Sequence, residues 1–301
     1  MAIMDERRAV IQPLNKVWYK GKVAALDMLR LDLLHPVVSG NKWYKLRLNL
    51  GWARDHERKT IVTFGGAFSN HLVATAFAAK EFGLKSVGIV RGRQEQLTPT
   101  LQECREYGME LIFVTREDYT NRHQPEWAEQ MVQHFDEIYI VPEGGANELG
   151  RAGAGLLTRF VDKSYSHVAL AVGTGTTMAG LRSKLDATQH ILGFVPMKQT
   201  EEQRHYVAAH TPANMAQTWD LIADTAFGGF GKWNEELLRF MNEFYAENQV
   251  PLDVVYTGKM MYRLRGLMDD NHFSSCDRIL CIHSGGLQGN VSVQEQLVYT
   301  V

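Results

Sequence analysis

The sequence predicts an α/β fold of two lobes, each built on a parallel sheet flanked by helices. Two observations support this: short Val- and Ile-rich runs alternate with helical patterns from residue 60 onward, and a turn-rich segment at 142–150 interrupts the alternation. The runs are apolar throughout, as is typical of parallel strands that are buried on both faces. With 301 residues, 45% of them hydrophobic, the chain is long enough for two such lobes.

Because the predicted strands alternate with helices, right-handed crossovers between parallel strands are expected. Before the interruption, the pattern predicts strands at 60–64, 85–90, 110–115 and 137–141 and helices at 69–82, 98–107 and 126–135. After it, the pattern predicts strands at 167–172, 191–195 and 278–283 and helices at 176–185, 233–248 and 259–268. We expect a large lobe of residues 1–51 and 151–301, a small inserted lobe of residues 52–150, and a cleft between them.

Charge and composition argue against several classes of partner. The net charge is −2, from 32 basic and 34 acidic residues, so neither nucleic acid nor a membrane surface is favoured electrostatically. No run of about 18 apolar residues predicts a membrane span, and the N-terminal residues lack the apolar core of a signal peptide, so a cytoplasmic location is expected. The three cysteines predict no disulfide framework, and His205 and His210 have the wrong spacing for a helical metal pair, so no metal site is expected.

The segment 173–177, Gly-Thr-Gly-Thr-Thr, follows a predicted strand and opens a predicted helix. Glycines let the backbone approach a ligand closely, and the N–H groups at a helix start attract anions. The common nucleotide motifs do not fit, because Leu181 stands where a P-loop has lysine and Met178 where a dinucleotide fold has a small residue. The segment is typical either of a cup for a phosphate monoester or of a glycine-rich turn without a ligand.

Lys42 lies between Gly40 and a predicted helix. A lysine in such a place is usually a solvated surface residue. The alternative is a lysine inside the cleft, where burial or nearby cations lower its pKa and let the free amine attack an aldehyde. Pyridoxal phosphate carries both an aldehyde and a phosphate monoester. Lys42 and the segment 173–177 together therefore favour this cofactor more strongly than either does alone.

A third glycine turn, Gly65-Gly66, is followed by Ser69, Asn70 and His71 at the start of a predicted helix. Such a start is suited to binding a carboxylate. A plain helix cap formed by Ser69 explains the same residues, and the two interpretations are compatible. The segment is not a nucleophile elbow, because G-x-S-x-G occurs nowhere in the chain.

Five short motifs occur in one order along the chain. They are Gly40-Asn41-Lys42, Gly65-Gly66-x-x-Ser69-Asn70, Thr174-Gly175-Thr176-Thr177-x-Ala179-Gly180, Tyr256-Thr257-Gly258-Lys259 and His283-Ser284-Gly285-Gly286. From about residue 31 to 287, the chain resembles the 1-aminocyclopropane-1-carboxylate deaminase / D-cysteine desulfhydrase family. The resemblance implies a tryptophan-synthase-β-like fold (fold type II) with pyridoxal 5'-phosphate in the cleft between the lobes, a small amino acid as substrate, and a homodimer.

The resemblance also implies roles for individual residues. Lys42 corresponds to the lysine that holds the cofactor as a Schiff base, Tyr256 to a tyrosine on the substrate side, and Thr257 to the group that faces the pyridine nitrogen. Asn70 corresponds to the contact of the cofactor ring hydroxyl. The residues that correspond to the phosphate loop are Thr174, Gly175, Thr176 and Thr177. Those that correspond to the carboxylate-binding loop are Ser69, which we also expect to be catalytic, Asn70 and His71.

Three positions bear on the reaction. The deaminases proper resemble each other in having Glu where Thr257 stands and Leu where Ser284 stands. Here both positions carry hydroxyls, which resembles the desulfhydrase branch of the family. A hydroxyl keeps the pyridine nitrogen protonated less well than a carboxylate does. The implied reaction is therefore α,β-elimination, as from D-cysteine to a 2-oxo acid, ammonia and sulfide. Ring-opening deamination and a non-catalytic cofactor-binding protein are the alternatives. Phe230 stands near the family's second active-site tyrosine and leaves the exact substrate open.

Overall fold

The computed structural model describes residues 4–197, 200–223 and 226–300. Its strands are β1 (Val10–Pro13), β2 (Ala25–Arg30), β3 (Thr60–Gly66), β4 (Lys85–Arg91), β5 (Met109–Val114), β6 (Ile138–Ile140), β7 (His167–Ala171), β8 (His190–Val195), β9 (Trp219–Ala223) and β10 (Arg278–His283). Its α-helices are α1 (Asn41–Asp55), α2 (Asn70–Glu81), α3 (Pro99–Glu106), α4 (Pro125–Met131), α5 (Glu148–Gly155), α6 (Thr176–Arg182), α7 (Glu201–Ala209), α8 (Glu235–Asn248) and α9 (Thr257–Asp269).

The strands form two sheets. The larger has the order β1-β2-β10-β7-β8-β9, and the smaller has the order β5-β4-β3-β6. Every pairing is parallel except that of β1 with β2 at the edge of the larger sheet. The predicted α/β class with parallel sheets flanked by helices is therefore confirmed. Short 3₁₀ segments connect the elements, and two of them, Asp118–His123 and Glu143–Gly145, matter below.

Alternate residues of β10 show that the larger sheet is covered on both faces. Leu280 and Ile282 pack in a cluster with Leu46 and Leu50 of α1, on one face. Ile279 and Cys281 pack on the other face with residues of α8 and α9, including Met241, Phe244 and Met260. All four strand side chains are fully buried. This explains why the strand reads as a continuous apolar run in the sequence.

The strand β2 was not predicted from the sequence, although it lies inside the larger sheet between β1 and β10. Its sequence contains Asp27 and Arg30, which interrupt the apolar pattern. Both charges are buried with partners: the Tyr165 hydroxyl donates to Asp27 at 2.7 Å, and the Arg30 guanidinium binds Asp32 at 2.7 Å. Their partners come from outside the strand, so the strand's own pattern does not reveal it.

The expected loop at 142–150 ends earlier than predicted, because α5 begins at Glu148. Asn147 caps this helix by accepting a hydrogen bond from the N–H of Gly150 at 2.8 Å. The glycines that suggested a loop instead allow close helix packing. A Cβ added at Gly153 would lie 1.9 Å from the carbonyl oxygen of Tyr44 in α1.

The strands of the smaller sheet all come from residues 60–140. The predicted lobe boundaries, 51/52 and 150/151, fall within α1 and α5, which pack on each other. The division into residues 52–150 and the remainder stays a prediction. Among the helices of the described ranges, none is long and apolar enough to cross a membrane.

Candidate active site

Lys42 is the second residue of α1, and the turn before it fixes its position. Gly40 has φ +69°, and a Cβ added there would lie 1.8 Å from the carbonyl oxygen of Ser284, so two backbone segments cross with no room for a side chain. The Lys42 Nζ donates to that same Ser284 carbonyl at 3.2 Å. The sequence therefore places the lysine amine against the chain segment that follows β10.

Burial lowers the pKa of Lys42 to about 8, and the nearby carboxylate of Asp253 opposes this shift. A substantial fraction of the amine is then unprotonated near neutral pH, unlike that of a surface lysine. The interpretation of Lys42 as an ordinary solvated lysine does not hold, because its amine lies inside the cleft. An amine of this kind is suited to attack an aldehyde.

The segment 173–177 forms the predicted strand-to-helix turn between β7 and α6. Gly175 precedes the helix with φ +89°, and no side chain caps the helix start. The hydroxyls of Thr174 and Thr176 are 2.8 Å apart, and the Thr177 hydroxyl accepts a hydrogen bond from Asn41 Nδ2 at 2.9 Å. Since Asn41 precedes Lys42, this bond joins the turn directly to the segment that carries the lysine.

Lys45 lies one helical turn beyond Lys42, and its side chain is buried as well. Burial lowers its pKa to about 7, and the positive charge of Lys42 lowers it further. A Cβ added at Gly145 would contact the Lys45 Cβ at 3.1 Å, while one at the neighbouring Gly144 would contact Thr174 at 2.7 Å. Lys45 thus supplies a second buried amine, whose charge acts on Lys42 and His71.

Ser69 precedes α2, and its side chain accepts a hydrogen bond from the N–H of Leu72. The N–H groups of Asn70 and His71 have no acceptor within the helix, as at any helix start. The plain-cap interpretation of Ser69 is therefore correct, and it leaves backbone donors available for a carboxylate. The structure brings Ser69, Asn70 and His71 together as predicted.

The hydrogen bonds of His71 fix the form of its imidazole. The Thr63 hydroxyl donates to the carbonyl of Val141 at 2.8 Å, so it must accept from His71 Nε2 at 3.0 Å. Within the described residues, the buried Nδ1 then has no partner. Burial, together with Lys45 and Lys42, lowers the pKa of His71 to about 3. The ring is neutral and Nδ1 is an acceptor, so His71 offers a carboxylate its backbone N–H rather than its side chain.

Gly286 marks the point where two predicted site residues, Lys42 and Asn70, meet a third residue, Asp253. A Cβ added there would lie 3.1 Å from Asn70 Nδ2, 3.8 Å from Lys42 Nζ and 3.8 Å from Asp253 Cγ. Asn70, at the start of α2, and Lys42, near the start of α1, are therefore brought to one place. A glycine at this position leaves the space between them clear.

Asp253 was not predicted as a site residue, yet it organises two that were. Its buried carboxylate accepts from the backbone N–H groups of Val255, Tyr256 and Thr257 and from the Thr257 hydroxyl, at 2.6–3.0 Å. The Thr257 oxygen also accepts from the Asp253 N–H at 2.7 Å. The Thr257 hydroxyl proton is thus committed to a carboxylate, and only an oxygen lone pair remains for another partner. From the sequence, Thr257 was expected to face the cofactor as an isolated hydroxyl, without the Asp253 carboxylate behind it.

Tyr256 lies 6.0 Å from the Lys42 Nζ, measured to the centre of its ring. Burial raises the pKa of the Tyr256 phenol, and the negative charges of Asp253 and Glu143 raise it further, so the hydroxyl stays protonated and acts as a donor. Phe230 packs edge-on against this ring at 5.8 Å and is 52% exposed. Phe230 therefore forms an apolar surface next to the tyrosine.

These features fit a cofactor that carries an aldehyde and a phosphate. The buried amine of Lys42 suits the first, and the turn 173–177 with Lys45 suits the second. Two buried polar atoms at this place, Asn41 Oδ1 and His71 Nδ1, have no partner in the described residues, as expected where a polar ligand completes a site. The described residues contain no group of three metal-ligating side chains. The fold and the site together define a pyridoxal-phosphate enzyme.

Comparisons with known proteins agree with this class. The model of the pyridoxal-phosphate-dependent enzyme family matches residues 25–285, and the chain belongs to this family. A Pyrococcus abyssi protein, provisionally named a 1-aminocyclopropane-1-carboxylate deaminase, is 30% identical over 89% of this chain and 86% of its own. The D-cysteine desulfhydrase of Yersinia enterocolitica is 27% identical over 85% of each chain. A crystal structure described as an ACC deaminase homologue has a TM-score of 0.80 at 25% identity, covering 97% of this chain and 93% of the other.

Two residues at the site were missed by the sequence analysis or given no role there. Asp253 stands four residues before Thr257, and an acidic residue just before a helix is a known capping signal that was available. Lys45 was noted as part of a motif, and its spacing of three from Lys42 predicts the same helix face. Neither signal reveals that both groups are buried next to the Lys42 amine.

Proposed function

We propose that this chain is a lyase that removes ammonia and a β substituent from a small amino acid, with D-cysteine as the first substrate to test. The observation that carries the proposal is the buried Lys42 amine, with a pKa of about 8, joined through Asn41 to the turn 173–177. The names of relatives, which include D-cysteine desulfhydrases and 1-aminocyclopropane-1-carboxylate deaminases, support the substrate class.

The residues that would hold the cofactor are Lys42, at its aldehyde, and Thr174, Gly175, Thr176 and Thr177, at its phosphate. Asn70 would contact the ring from the side of the smaller sheet, and Thr257, backed by Asp253, would face the ring nitrogen. When bound, pyridoxal phosphate supplies an electron sink that makes the hydrogen on the substrate's α carbon acidic.

The chain's own residues would perform the remaining tasks. The helix start at Ser69, Asn70 and His71 would hold the substrate carboxylate with backbone N–H groups. The Lys42 amine, whose pKa of about 8 leaves a larger unprotonated fraction than a surface lysine has, would take the proton from the α carbon. Tyr256, whose hydroxyl stays protonated, would donate a hydrogen bond or a proton to the departing group. Phe230 would exclude water from that side of the site.

Replacement of Lys42 tests the proposal. In Lys42→Ala, we expect turnover of D-cysteine to fall by at least about 10³-fold and the visible absorption of the bound cofactor to be lost. Lys163→Ala, which removes an exposed lysine, is the control and should behave as the parent protein. Full turnover in Lys42→Ala, or a parent protein that cannot be loaded with pyridoxal phosphate, would reject the assignment.

Ring-opening deamination is the second candidate reaction, because relatives with that name are among the similar proteins. Ammonia release from 1-aminocyclopropane-1-carboxylate and from D-cysteine, measured side by side, separates the two reactions. Faster release from the cyclopropane substrate would replace the proposed elimination. Spectral changes with amino acids but no product would instead indicate a non-catalytic cofactor-binding protein.

We also propose that the chain forms a homodimer and that residues 52–150 form its small lobe. The resemblance described above supports the first, and the origin of every strand of the smaller sheet within 60–140 supports the second. Light scattering of the purified protein tests the dimer. A mass of one chain, 34.1 kDa, would contradict it.

A further inference from the structure

A group of cations lies at the carboxyl ends of the strands of the smaller sheet. Arg91 ends β4, directly beside Gly66 in the pairing of β3 with β4, and a Cβ added at Gly66 would lie 3.7 Å from Arg91 Nη2. Arg116 follows β5, and a Cβ added at Gly92 would lie 4.0 Å from its Nε. Gly66 begins the turn that leads to Ser69. The carboxyl ends of parallel strands are where ligands bind in folds of this kind, so these cations face the substrate side.

Tyr119 lies between two of the guanidinium groups. Its ring centre is 5.8 Å from the Arg91 guanidinium carbon and 5.1 Å from that of Arg122. The residue is only 2% exposed, and its hydroxyl makes no hydrogen bond of standard geometry among the described residues, although the nearby Glu143 carboxylate interacts with it and raises its pKa. A buried hydroxyl without a partner costs free energy unless something else satisfies it. A bound group that accepts hydrogen bonds would do so.

The cations are only partly neutralised. Arg122 binds Glu143 at 2.9 Å, and the exposed Glu202 lies 3.9 Å away, where water weakens the interaction. Within the described ranges, no carboxylate comes within ion-pair distance of Arg91. This leaves a guanidinium without a counter-charge next to an unsatisfied phenol.

Glu143 connects this cluster to the cleft. Its negative charge acts on Tyr256, so the two side chains are close enough to interact. It belongs to the 3₁₀ segment Glu143–Gly145, and Gly144 of that segment contacts Thr174. Through Glu143, which also binds Arg122, the cluster therefore lies within electrostatic range of Tyr256 in the cleft.

We propose that Arg91, Tyr119 and Arg122 form a subsite for an anionic group on the side chain of the amino-acid substrate. The class of substrate is an amino acid whose β substituent carries a carboxylate, sulfonate or phosphate. The inference rests on the proposed function, since it places the α-carboxylate at Ser69 and the reacting carbon at Lys42. Arginine is well suited to such anions, because its planar group donates two parallel hydrogen bonds.

The test compares probes that share a backbone and differ in the distal charge. Both enantiomers of aspartate, cysteate and O-phosphoserine are titrated into the cofactor-loaded protein beside cysteine and serine, and binding is measured from the visible spectrum of the cofactor. We expect at least one anionic probe to bind about tenfold or more tightly than its neutral counterpart. The type of anion that gains most identifies the substituent.

Variants locate the effect. In Arg91→Gln, the preference for the anionic probe should fall by about tenfold, with the affinity for the neutral probe unchanged. Arg91→Lys should restore part of the preference, and Tyr119→Phe should lose a smaller part. Arg105→Gln removes the same charge from the exposed side of α3 and should change nothing.

The possible failures are distinguishable. If the parent protein cannot be loaded with cofactor, the proposed function fails and this inference fails with it. If the protein is loaded and binds neutral amino acids as tightly as the anionic probes, only the subsite is rejected. An anion preference that Arg91→Gln leaves intact also overturns the subsite, because the preference then arises elsewhere.

Discussion

Two strand-to-helix turns lie at the cleft, and they begin their helices differently. In the turn 173–177, Gly175 directly precedes α6, and no side chain caps the start of this helix. In the turn 65–71, Ser69 directly precedes α2, and its side chain caps the helix by accepting a hydrogen bond from the Leu72 N–H. Both follow a buried strand of a parallel sheet. At the first turn, no side chain occupies the backbone N–H groups of the helix start. At the second turn, the Ser69 side chain already occupies one of them, the N–H of Leu72.

This difference suggests how the site separates two anions. A phosphate monoester carries up to two charges and three acceptor oxygens, so it gains most from an uncapped turn with threonine hydroxyls and a nearby lysine. A carboxylate carries one charge and two oxygens, which fewer donors satisfy. The same local fold therefore serves cofactor and substrate, and the capping residue adjusts the number of donors.

The largest effect that tests this comparison is expected at the uncapped turn. In Gly175→Ala, the new Cβ is forced into φ +89° and meets Tyr206 at 3.1 Å and Val207 at 3.2 Å. We expect cofactor affinity to fall by at least about 100-fold, equivalent to about 3 kcal/mol. Gly83→Ala is the matched control, since Gly83 also has positive φ, +72°, but has nothing within 4 Å. Equal cofactor affinity in the two variants would show that the turn does not bind the phosphate.

A smaller effect is expected at the capped turn. Ser69→Ala should raise the KM for the substrate about tenfold while cofactor content stays unchanged, because the Ser69 hydroxyl, whose oxygen accepts from the Leu72 N–H, keeps a proton that it can donate to the carboxylate beside the backbone N–H groups. Asn234→Ala is the control, because the exposed Asn234 caps α8 in the same way, through the Leu237 N–H. Both variants should lose about 1 kcal/mol of stability from the cap. A loss of cofactor in Ser69→Ala would contradict the separation of the two turns.

The two buried lysines predict how pH affects the cofactor-free protein. Their pKa values, about 8 for Lys42 and about 7 for Lys45, lie below the ordinary value of 10.5. The unfolded chain therefore binds more protons between about pH 7 and 10.5, and the free energy of unfolding should rise with pH across this window. Denaturant unfolding at several pH values measures it. In Lys45→Met the rise should be smaller, and an unchanged slope would show that Lys45 is not buried as a cation.

The smallest effect on ligand binding is expected from Thr63→Val. This variant removes the acceptor of the His71 Nε2 proton and the donor to the Val141 carbonyl. We expect a stability loss of about 1–3 kcal/mol and only a modest change in KM, because the His71 backbone still binds the carboxylate. Thr75→Val should cost less, since the His71 carbonyl that it binds can keep its bond within the helix. Thermal unfolding compares the two, and equal losses would argue against the fixed imidazole.

The sequence was informative where an element depends on its own residues. Strands β3, β4, β7, β8 and β10 and the glycine turns were predicted close to their observed bounds, because their signals are continuous apolar runs and small residues. The helix α5 was missed, because its glycines are explained only by the backbone of α1 that lies against them.

The same distinction holds at the site. Lys42, Ser69 and Thr177 are recognisable from motifs, whereas the depressed pKa values of Lys42 and Lys45 depend on burial that no local pattern records. The tautomer of His71 depends on its bond to Thr63 and on the bond of Thr63 to Val141. The pairing of Thr257 with the Asp253 carboxylate likewise depends on a hydrogen bond in the folded chain. The burial of the lysines arises from contacts between distant segments. The bonds of His71 and Thr257 join residues as few as four positions apart, but the sequence does not show which of the possible pairs forms.

The backbone crossing of Gly40 over Ser284 has a consequence for biosynthesis. The segment that holds the reactive amine emerges from the ribosome early, but the carbonyl that it contacts is translated 242 residues later. The strand β2 likewise has its place inside the larger sheet only after β10 has been translated, because β10 pairs with it. A nascent chain that lacks β10 and Ser284 thus cannot assemble this pocket, so capture of the cofactor must wait until both have been translated.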